Sequence, residues 1–440
     1  MRSGAVSLVG AFLGLGLGLA PSARGAALEG LQGPTAQATP TPTPPPPPLV
    51  AAGLPIKFGA SLTIRNDTID VADQTDLLLD DQTSALRARF RLWLDYRDPS
   101  AVVNAGLRFG SAQNPNPTAS FIRLGNAFRT ESFGLDQFYL SVRPFKNREA
   151  VSLSAGKMPL PFWRGEKGPF RTQLLWDHDI SPTGVAGKVA ITLRQSEKAG
   201  SIRIENAGGY FVMEDVPAAR FTGLSGKTFL VADQLHVQAP HLGVAVGYFG
   251  FENLNAGLRS PAFEPGAGAF LLPGTFAFLA RPGLQVTNSI VNYGPGARGY
   301  VEEHFRVVNA LAQVDFPIHL KGLGRTQFFL LGDYSRNTSV SREATGYALT
   351  GGLYGGGWGG PKLHPYELHF TWADVDRDAT LSVFANGDLG SGTDFKGWEA
   401  AANYRFTKNL LLAIFYFHYD GAPLKDSFVR RLFVDLTWDF

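Results

Sequence analysis

The sequence predicts an all-β fold, a transmembrane antiparallel β-barrel of about 16 strands with long outer loops and short periplasmic turns. Three observations carry it. Segments of roughly ten residues alternate apolar and polar, so each strand has two faces that meet different surroundings. The connections between segments alternate between short and long. Beyond the first residues no uninterrupted apolar run reaches helix-spanning length, and mean hydropathy is close to zero, as suits a wall that is greasy outside and wet inside.

The chain begins like a secretory signal. Arg2 gives a positive start, Val6 to Ala20 is apolar and Gly-rich, and small residues follow at Ala23, Gly25, Ala26 and Ala27. Residues 1–25 are expected to be a signal peptide, cut at 25–27. An anchoring helix is the bland alternative, disfavoured by the short Gly-rich span. Residues 26–55 are expected to be a Pro/Thr-rich periplasmic spacer. Its run from Pro40 through Pro48 is stiff and cannot pack, so it is either a contact to peptidoglycan or a disordered tail. The barrel is expected over 56–440.

Strands are expected near 56–64, 85–97, 101–112, 132–144, 149–157, 185–196, 200–210 and 226–239. The second half gives 242–251, 303–316, 323–336, 343–353, 363–375, 394–406, 410–420 and 428–440. In the second of these, Leu86, Ala88, Phe90, Leu92, Leu94 and Tyr96 oppose Arg87, Arg89, Arg91, Trp93 and Asp95. In the strand near 363–375, Tyr366, Leu368, Phe370 and Trp372 oppose Glu367, His369 and Thr371. Aromatics at the ends of the apolar face fit girdles at two membrane interfaces. Three segments fit badly. Asp233 interrupts an apolar face, 410–420 is apolar on both faces, and Gly351 to Gly360 is long for a periplasmic turn. The last strand sets Leu432, Val434, Leu436, Trp438 and Phe440 against Arg431, Asp435, Thr437 and Asp439, with Phe433 as the exception. Trp438 and Phe440 are expected to form the signal that barrel-insertion machinery reads.

Composition narrows the class. The 440 residues include no cysteine, which removes disulfides and thiolate chemistry. A formal charge of +2 argues against a nucleic-acid partner. A barrel of about eight strands is plugged by its own side chains, whereas about 16 leave a lumen that holds water. A wall this wide is expected to pass small solutes.

The order of motifs resembles the Gram-negative outer-membrane family named "putative porin". The matching residues run from Leu86-Arg87-Ala88-Arg89-Phe90-Arg91 through Ala105-Gly106-Leu107-Arg108 to Asp136-Gln137-Phe138-Tyr139. They continue with Gly156-Lys157-Met158-Pro159-Leu160-Pro161-Phe162 and Trp176-Asp177-His178-Asp179-Ile180-Ser181-Pro182-Thr183-Gly184. The resemblance is sharpest over 85–190. It implies a pore and says little about the solute. Family members often carry a coiled coil before the barrel, where this chain has only its proline tract.

Pore-lining candidates are Arg87, Arg89, Arg91, Arg108, Glu367, His369, Glu399 and Arg405. Arg87, Arg89 and Arg91 occupy every second position, and arginine on the lipid face at mid-bilayer costs roughly 2–4 kcal/mol. They are expected to face the lumen, either as a basic ladder that focuses anions or as a wet wall paired with acids. The loop from Met158 to Gly184 is third in the outer series. By resemblance to porins whose third loop folds inward, Arg164, Glu166, Arg171, Asp177 and Asp179 are constriction candidates. Asp177-His178-Asp179 is not read as a metal site, because adjacent residues ligate one ion poorly. No cofactor and no enzymatic activity are expected. The glycines at 355–360 lack the Lys-Ser/Thr of a phosphate loop.

The expected function is passive diffusion of small hydrophilic solutes through the outer membrane. An anion- or phosphate-selective channel is the alternative. A barrel-borne enzyme or a structural tether is the reading from another class. Expected partners are outer-membrane lipid, lipopolysaccharide and the barrel-assembly machinery, with a homotrimer and a peptidoglycan contact left open. Both termini are expected in the periplasm.

Overall fold

The computed structural model describes residues 55–72, 83–98, 100, 102–111, 121–124, 133–145, 151–165, 172, 174–196, 200–215, 227–255, 287–294, 297–320, 324–355, 365–385, 388–390, 392–421 and 424–440. The signal and spacer expected over 1–55 therefore lie outside the described residues except Pro55. Gly53–Phe440 form one compact unit.

The strands are β1 (Ile56–Ala72), β2 (Thr83–Arg97), β3 (Val103–Ser111), β4 (Ile122–Arg123), β5 (Phe133–Val142), β6 (Val151–Lys157), β7 (Thr183–Ser196), β8 (Gly200–Asp215), β9 (Lys227–Gln238) and β10 (Leu242–Glu252). They continue with β11 (Ile290–Gly294), β12 (Ala297–Tyr300), β13 (Phe305–Leu320), β14 (Gly324–Asn337), β15 (Thr345–Gly355), β16 (Tyr366–Val375), β17 (Phe395–Arg405), β18 (Leu410–Gly421) and β19 (Leu424–Asp439). Strands β11 and β12 form a separate hairpin. Strand β4 pairs with β2 at Arg87 and Ala88, just beyond the reach of β3, and so continues the place of β3 in the wall. The wall is a closed antiparallel barrel of 16 strands.

Each expected strand has a counterpart. The main differences lie at strand ends. β1 runs to Ala72, so Arg65 and Asp67 are wall residues and not loop residues. β15 runs to Gly355, which removes half of the ill-fitting Gly351 to Gly360 connection. Within it Gly352 is required. A Cβ there would meet the Phe329 ring at 2.6 Å and the Leu368 carbonyl at 2.5 Å.

The alternation decides the facing. In β10, Leu242, Val244, Val246 and Tyr248 point outward, while Ala245 and Phe249 are buried inside. In β16, Leu368 and Phe370 are outward and Glu367, His369 and Thr371 are inward. One cluster of outward aromatics spans β15 to β18: Tyr347 on Trp372, Phe370 on Trp398, and Trp398 on Tyr416, with ring centroids 5.3–5.6 Å apart. Asp233 does face outward, and the Asn206 amide donates to its carboxylate at 3.0 and 3.2 Å. Phe433 is explained as well. It is on the lumenal face, with the guanidinium carbons of Arg65 and Arg431 at 3.9 and 4.3 Å from its ring centre.

The barrel closes where β1 lies between β19 and β2. Its ladder with β19 runs from Ser61↔Asp439 to Ala72↔Phe428, and that with β2 from Ile56↔Tyr96 to Ile69↔Thr83. Thr63 and Thr437 are register partners with hydroxyls 2.9 Å apart. The chain has no cysteine, so paired cysteines report closure cleanly. Thr63→Cys with Thr437→Cys is expected to form an intramolecular disulfide on mild oxidation, since paired strands bring Cα atoms to about 4.5–5.5 Å. Gel mobility of a protease-nicked sample checks it. A shift to Thr63→Cys with Asp435→Cys as the better pair would mean a different register.

Candidate functional site

The lumen is not an open tube. The 158–182 loop leaves β6 and returns to β7, its base joined by a hydrogen bond from Met158 N–H to the Pro182 carbonyl at 2.9 Å. Its sequence explains where it goes. Met158, Phe162, Leu175, Trp176 and Ile180 are too apolar to stand in water, and they pack against Phe211, Phe249, Phe251, Phe305 and Val307 on the inner wall. Phe162 meets Phe249 edge-on at 5.0 Å, and Trp176 meets Phe249 at 5.6 Å. Burying each such side chain is worth about 1.5–3 kcal/mol.

Polar clamps fix the rest of the loop. The Gln234 amide on β9 accepts from Trp163 N–H at 2.7 Å and donates to the Trp163 carbonyl at 3.0 Å. The Trp163 ring stacks on His236 at 4.4 Å. Thr172 donates to Asp333 on β14 at 2.5 Å. Gly165 adopts φ +85° where a Cβ would meet Leu331 and Gln313 at about 3 Å, so a close approach and a left-handed backbone coincide. At the other end Ser181 accepts from Gln137 at 3.0 Å and Arg108 at 3.4 Å. The loop thus reaches from β2 and β3 across to β14.

The 376–394 loop between β16 and β17 joins it. Asp177 N–H donates to the Phe384 carbonyl at 2.6 Å, and Phe384 packs beside Trp176 and Phe251. Asn288 ties this second loop down by donating to the Arg377 and Thr380 carbonyls.

Opposite this apolar filling stands a bank of charge. Arg65 makes a bidentate pair with Asp435 at 2.8 and 2.9 Å. Asp67 receives Arg87 at 2.8 Å from one side and Arg431 at 2.9 Å from the other. Arg91 meets Asp179 at 2.5 Å and Asp136 at 3.8 Å, Arg89 meets Asp179 at 3.6 Å, and Arg108 meets Asp136 at 2.5 Å. Asp388 sits 3.6 Å from both Arg65 and Arg431. Confinement opposes its charge, but Arg65 and Arg431 outweigh that and hold its carboxyl below the usual carboxylate range.

The arginine ladder therefore faces the lumen in company with acids, and Asp179 joins it to the infolded loop. His178 lies between Asp177 at 3.4 Å and Asp179 at 3.3 Å. The three offer ligand atoms within 4.8 Å of one another, yet the Asp179 carboxylate is engaged by two guanidiniums. Arg164 donates to the Trp176 and Asp177 carbonyls and so braces the loop from within. Glu166 and Arg171 lie outside the described residues.

On the same side of the lumen, Glu367, His369 and Glu399 of β16 and β17 form one unit. His369 bonds Glu367 through Nδ1 at 3.0 Å and Glu399 through Nε2 at 2.9 Å, and Asn403 donates to Glu367 at 2.7 Å. Arg405 sits at the short-turn end of the wall, bonded to Asp439 and the Lys408 carbonyl. Trp438 and Phe440 are outward and stack on each other at 5.9 Å. A cavity of about 390 Å³ remains in the lumen, lined among others by Arg65, Arg89, Arg164, Glu367, Asp388 and Glu399.

Sequence reading missed Arg65, Asp67, Asp136, Asp388, Arg431 and Asp435 as parts of this site. For Arg65 and Asp67 the alternation with Leu62 and Ile64 was the available signal. For Asp388 there was none, because its role comes from where a loop folds.

A closed barrel with loops folded into a charged lumen is a channel of the porin class. Residues 60–269 match the family model described as "Putative porin", and that stretch belongs to this family. No curated protein matches the chain. Among solved structures, a triple mutant of Rhodopseudomonas blastica porin is similar at 12% identity and TM-score 0.42, covering 88% of this chain and 100% of its own. Salmonella typhi OmpF, in a complex with daunomycin, is similar at 11% identity and TM-score 0.46, covering 88% and 98%.

Asp179 is the anchor to test. Removing one partner of a buried ion pair typically costs roughly 3–5 kcal/mol. Asp179→Asn is expected to lower the unfolding temperature and to make the open-channel current noisier, because the loop loses its hold on β2. Thermal melts and single-channel recordings check both. A quiet trace at unchanged melting temperature would show that the apolar contacts alone hold the loop.

Proposed function

We propose that this protein is a passive diffusion pore for small hydrophilic solutes in the outer membrane of a Gram-negative bacterium, working without cofactor or turnover. One observation carries the reading: the infolded loops leave a cavity of about 390 Å³ to which Arg65, Arg89, Arg164, Glu367, Asp388 and Glu399 bring charge. Residues 1–25 act as the export signal, residues 26–55 as a periplasmic spacer, and both chain ends lie in the periplasm. The outward Trp438 and Phe440 act as the assembly signal.

The pairing pattern favours a general pore over a phosphate-selective one. Arg65, Arg87, Arg89, Arg91, Arg108 and Arg431 each have a carboxylate within 4 Å. A bank neutralised at this range sets a local field across the pore and little net potential along it. An enzyme gains no support from His369, whose ring nitrogens are both engaged by glutamates. A homo-oligomer gains support from Asp233, an outward carboxylate hydrogen-bonded by the Asn206 amide, since contact with a second copy removes it from lipid.

Reconstituted protein is expected to conduct, with weak selectivity. Arg89→Gln should move the reversal potential toward cations and Asp388→Asn toward anions. Both shifts should be larger at low salt, where the Debye length grows from about 8 Å toward 30 Å. The Asp388→Asn shift should persist to lower pH than the shift from an ordinary carboxylate would, because Arg65 and Arg431 lower the pKa of its carboxyl. A closed barrel without current would overturn the channel reading. Current with both variants unchanged would move the selective region away from this cavity.

A further inference from the structure

Strand β18 breaks the rule that a lumenal face is polar. Leu411, Ala413, Phe415 and Phe417 occupy successive inward positions, and all four line the central cavity, as does Phe433 on β19. The outward face of β18 is apolar too, with Leu412, Ile414 and Tyr416, so lipid contact does not account for the inward set. Loop packing accounts for part of it. Phe417 and Phe433 are covered within a cluster that includes Leu174, Ala379 and Leu389 from the infolded loops. Leu411 lies outside that cluster, and Leu411 and Phe415 stay partly exposed to the cavity. A wall that only needs to pass hydrated ions gains nothing from an apolar strip. A wall that holds a solute with an apolar body does.

Charge on the two flanks narrows the solute. Going round the wall, β16 and β17 present Glu367, His369 and Glu399, then comes the apolar strip on β18 and β19, then Arg65 on β1 and Arg89 on β2. Glu367 and Glu399 flank His369 on one side of the strip, and on the other Arg65 and Arg89 line the cavity together with Asp388 and Asp435. Strands are about 4.8 Å apart, so β17 and β1 are separated by roughly 14 Å along the wall. The flanks together present both signs of charge with little net potential, which suits a solute that itself carries an ammonium and a carboxylate and is neutral overall.

We propose that the cavity retains short zwitterionic solutes with an apolar body, in chemical terms an uncapped peptide of about three residues bearing aliphatic or aromatic side chains, whose extended length is near 10 Å. The inference rests on the channel reading above and adds the solute class that lingers in the pore.

The test is current block in planar bilayers, using trileucine and triglycine, which carry the same end charges. Trileucine should block at concentrations at least tenfold below triglycine. Capping both ends of trileucine should weaken its block at least threefold. In Phe415→Ser and in Leu411→Ser, each shown by circular dichroism to be folded, the gap between the two peptides should shrink at least threefold. Equal block by trileucine and triglycine would overturn the inference while leaving the pore intact, as would a gap unchanged in both folded variants. Unchanged block by capped trileucine would overturn the zwitterion assignment. Absence of any ion current would overturn the channel reading and this inference with it.

Discussion

Everything in this molecule depends on the pairing of β1 with both β19 and β2. In hydrocarbon an unpaired backbone amide or carbonyl costs several kcal/mol, so a sheet that spans lipid must have no edge. The two ladders of β1 remove the last edges. Once the wall is closed, the period of two assigns each strand residue to lipid or lumen. The same strand carries bidentate ionic links to β19. Arg65 and Arg87 are direct register partners and would repel. The conflict is resolved by Asp435, the register partner of Arg65 on β19, and diagonally by Asp67 taking both Arg87 and Arg431. Closure is thus written twice, in backbone hydrogen bonds and in lumenal ion pairs.

The closed wall creates a lumen too wide for wall side chains to fill, and the chain divides it. On the β7 to β13 side, loop residues and inward wall residues make an apolar core of the kind a soluble protein has. On the β16 to β2 side, charges and the β18 strip border free space. The division follows from composition. Phe211, Phe249, Phe251 and Phe305 are inward aromatics that would be costly against water, and the Met158 to Ile180 stretch supplies the matching surface. Arginines cannot join that core without partners. They gather instead where Asp67, Asp136, Asp179, Asp388 and Asp435 can reach them.

The fold was legible because alternation is a local property. Strands such as β2 and β16 announce their faces within ten residues, and the barrel size follows from counting them. The lumenal side of Arg87, Arg89 and Arg91 was legible for the same reason. What they do there was not. Whether a ladder of arginines is a bare potential or a set of paired charges depends on Asp136 and Asp179, which reach it from a strand and a loop elsewhere in the chain. Asp388 is the extreme case. Its neighbours Arg65 and Arg431 lie more than 300 positions before it and about 40 after it, and only the infolding of a loop brings them together. Phe433 looked like an error in an alternating strand. It is the ring on which two guanidiniums rest, a role that needs β1 beside β19 to be seen.

Paired charges change what a pore wall can do. A lone arginine in a narrow lumen holds an anion strongly and slows its exit, because little water screens it. An arginine already bonded to a carboxylate offers a dipole whose field falls off faster with distance than that of a charge. Ions then feel the wall only when they pass close to it, so passage stays fast and selectivity modest. The same pairing frees the surface for weaker, shape-dependent contacts. Next to a neutralised bank, the exposed parts of Leu411 and Phe415 offer apolar surface that water gains little by covering. The balance of arginines and aspartates around β1 is therefore also what lets an apolar strip on β18 influence which solutes stay.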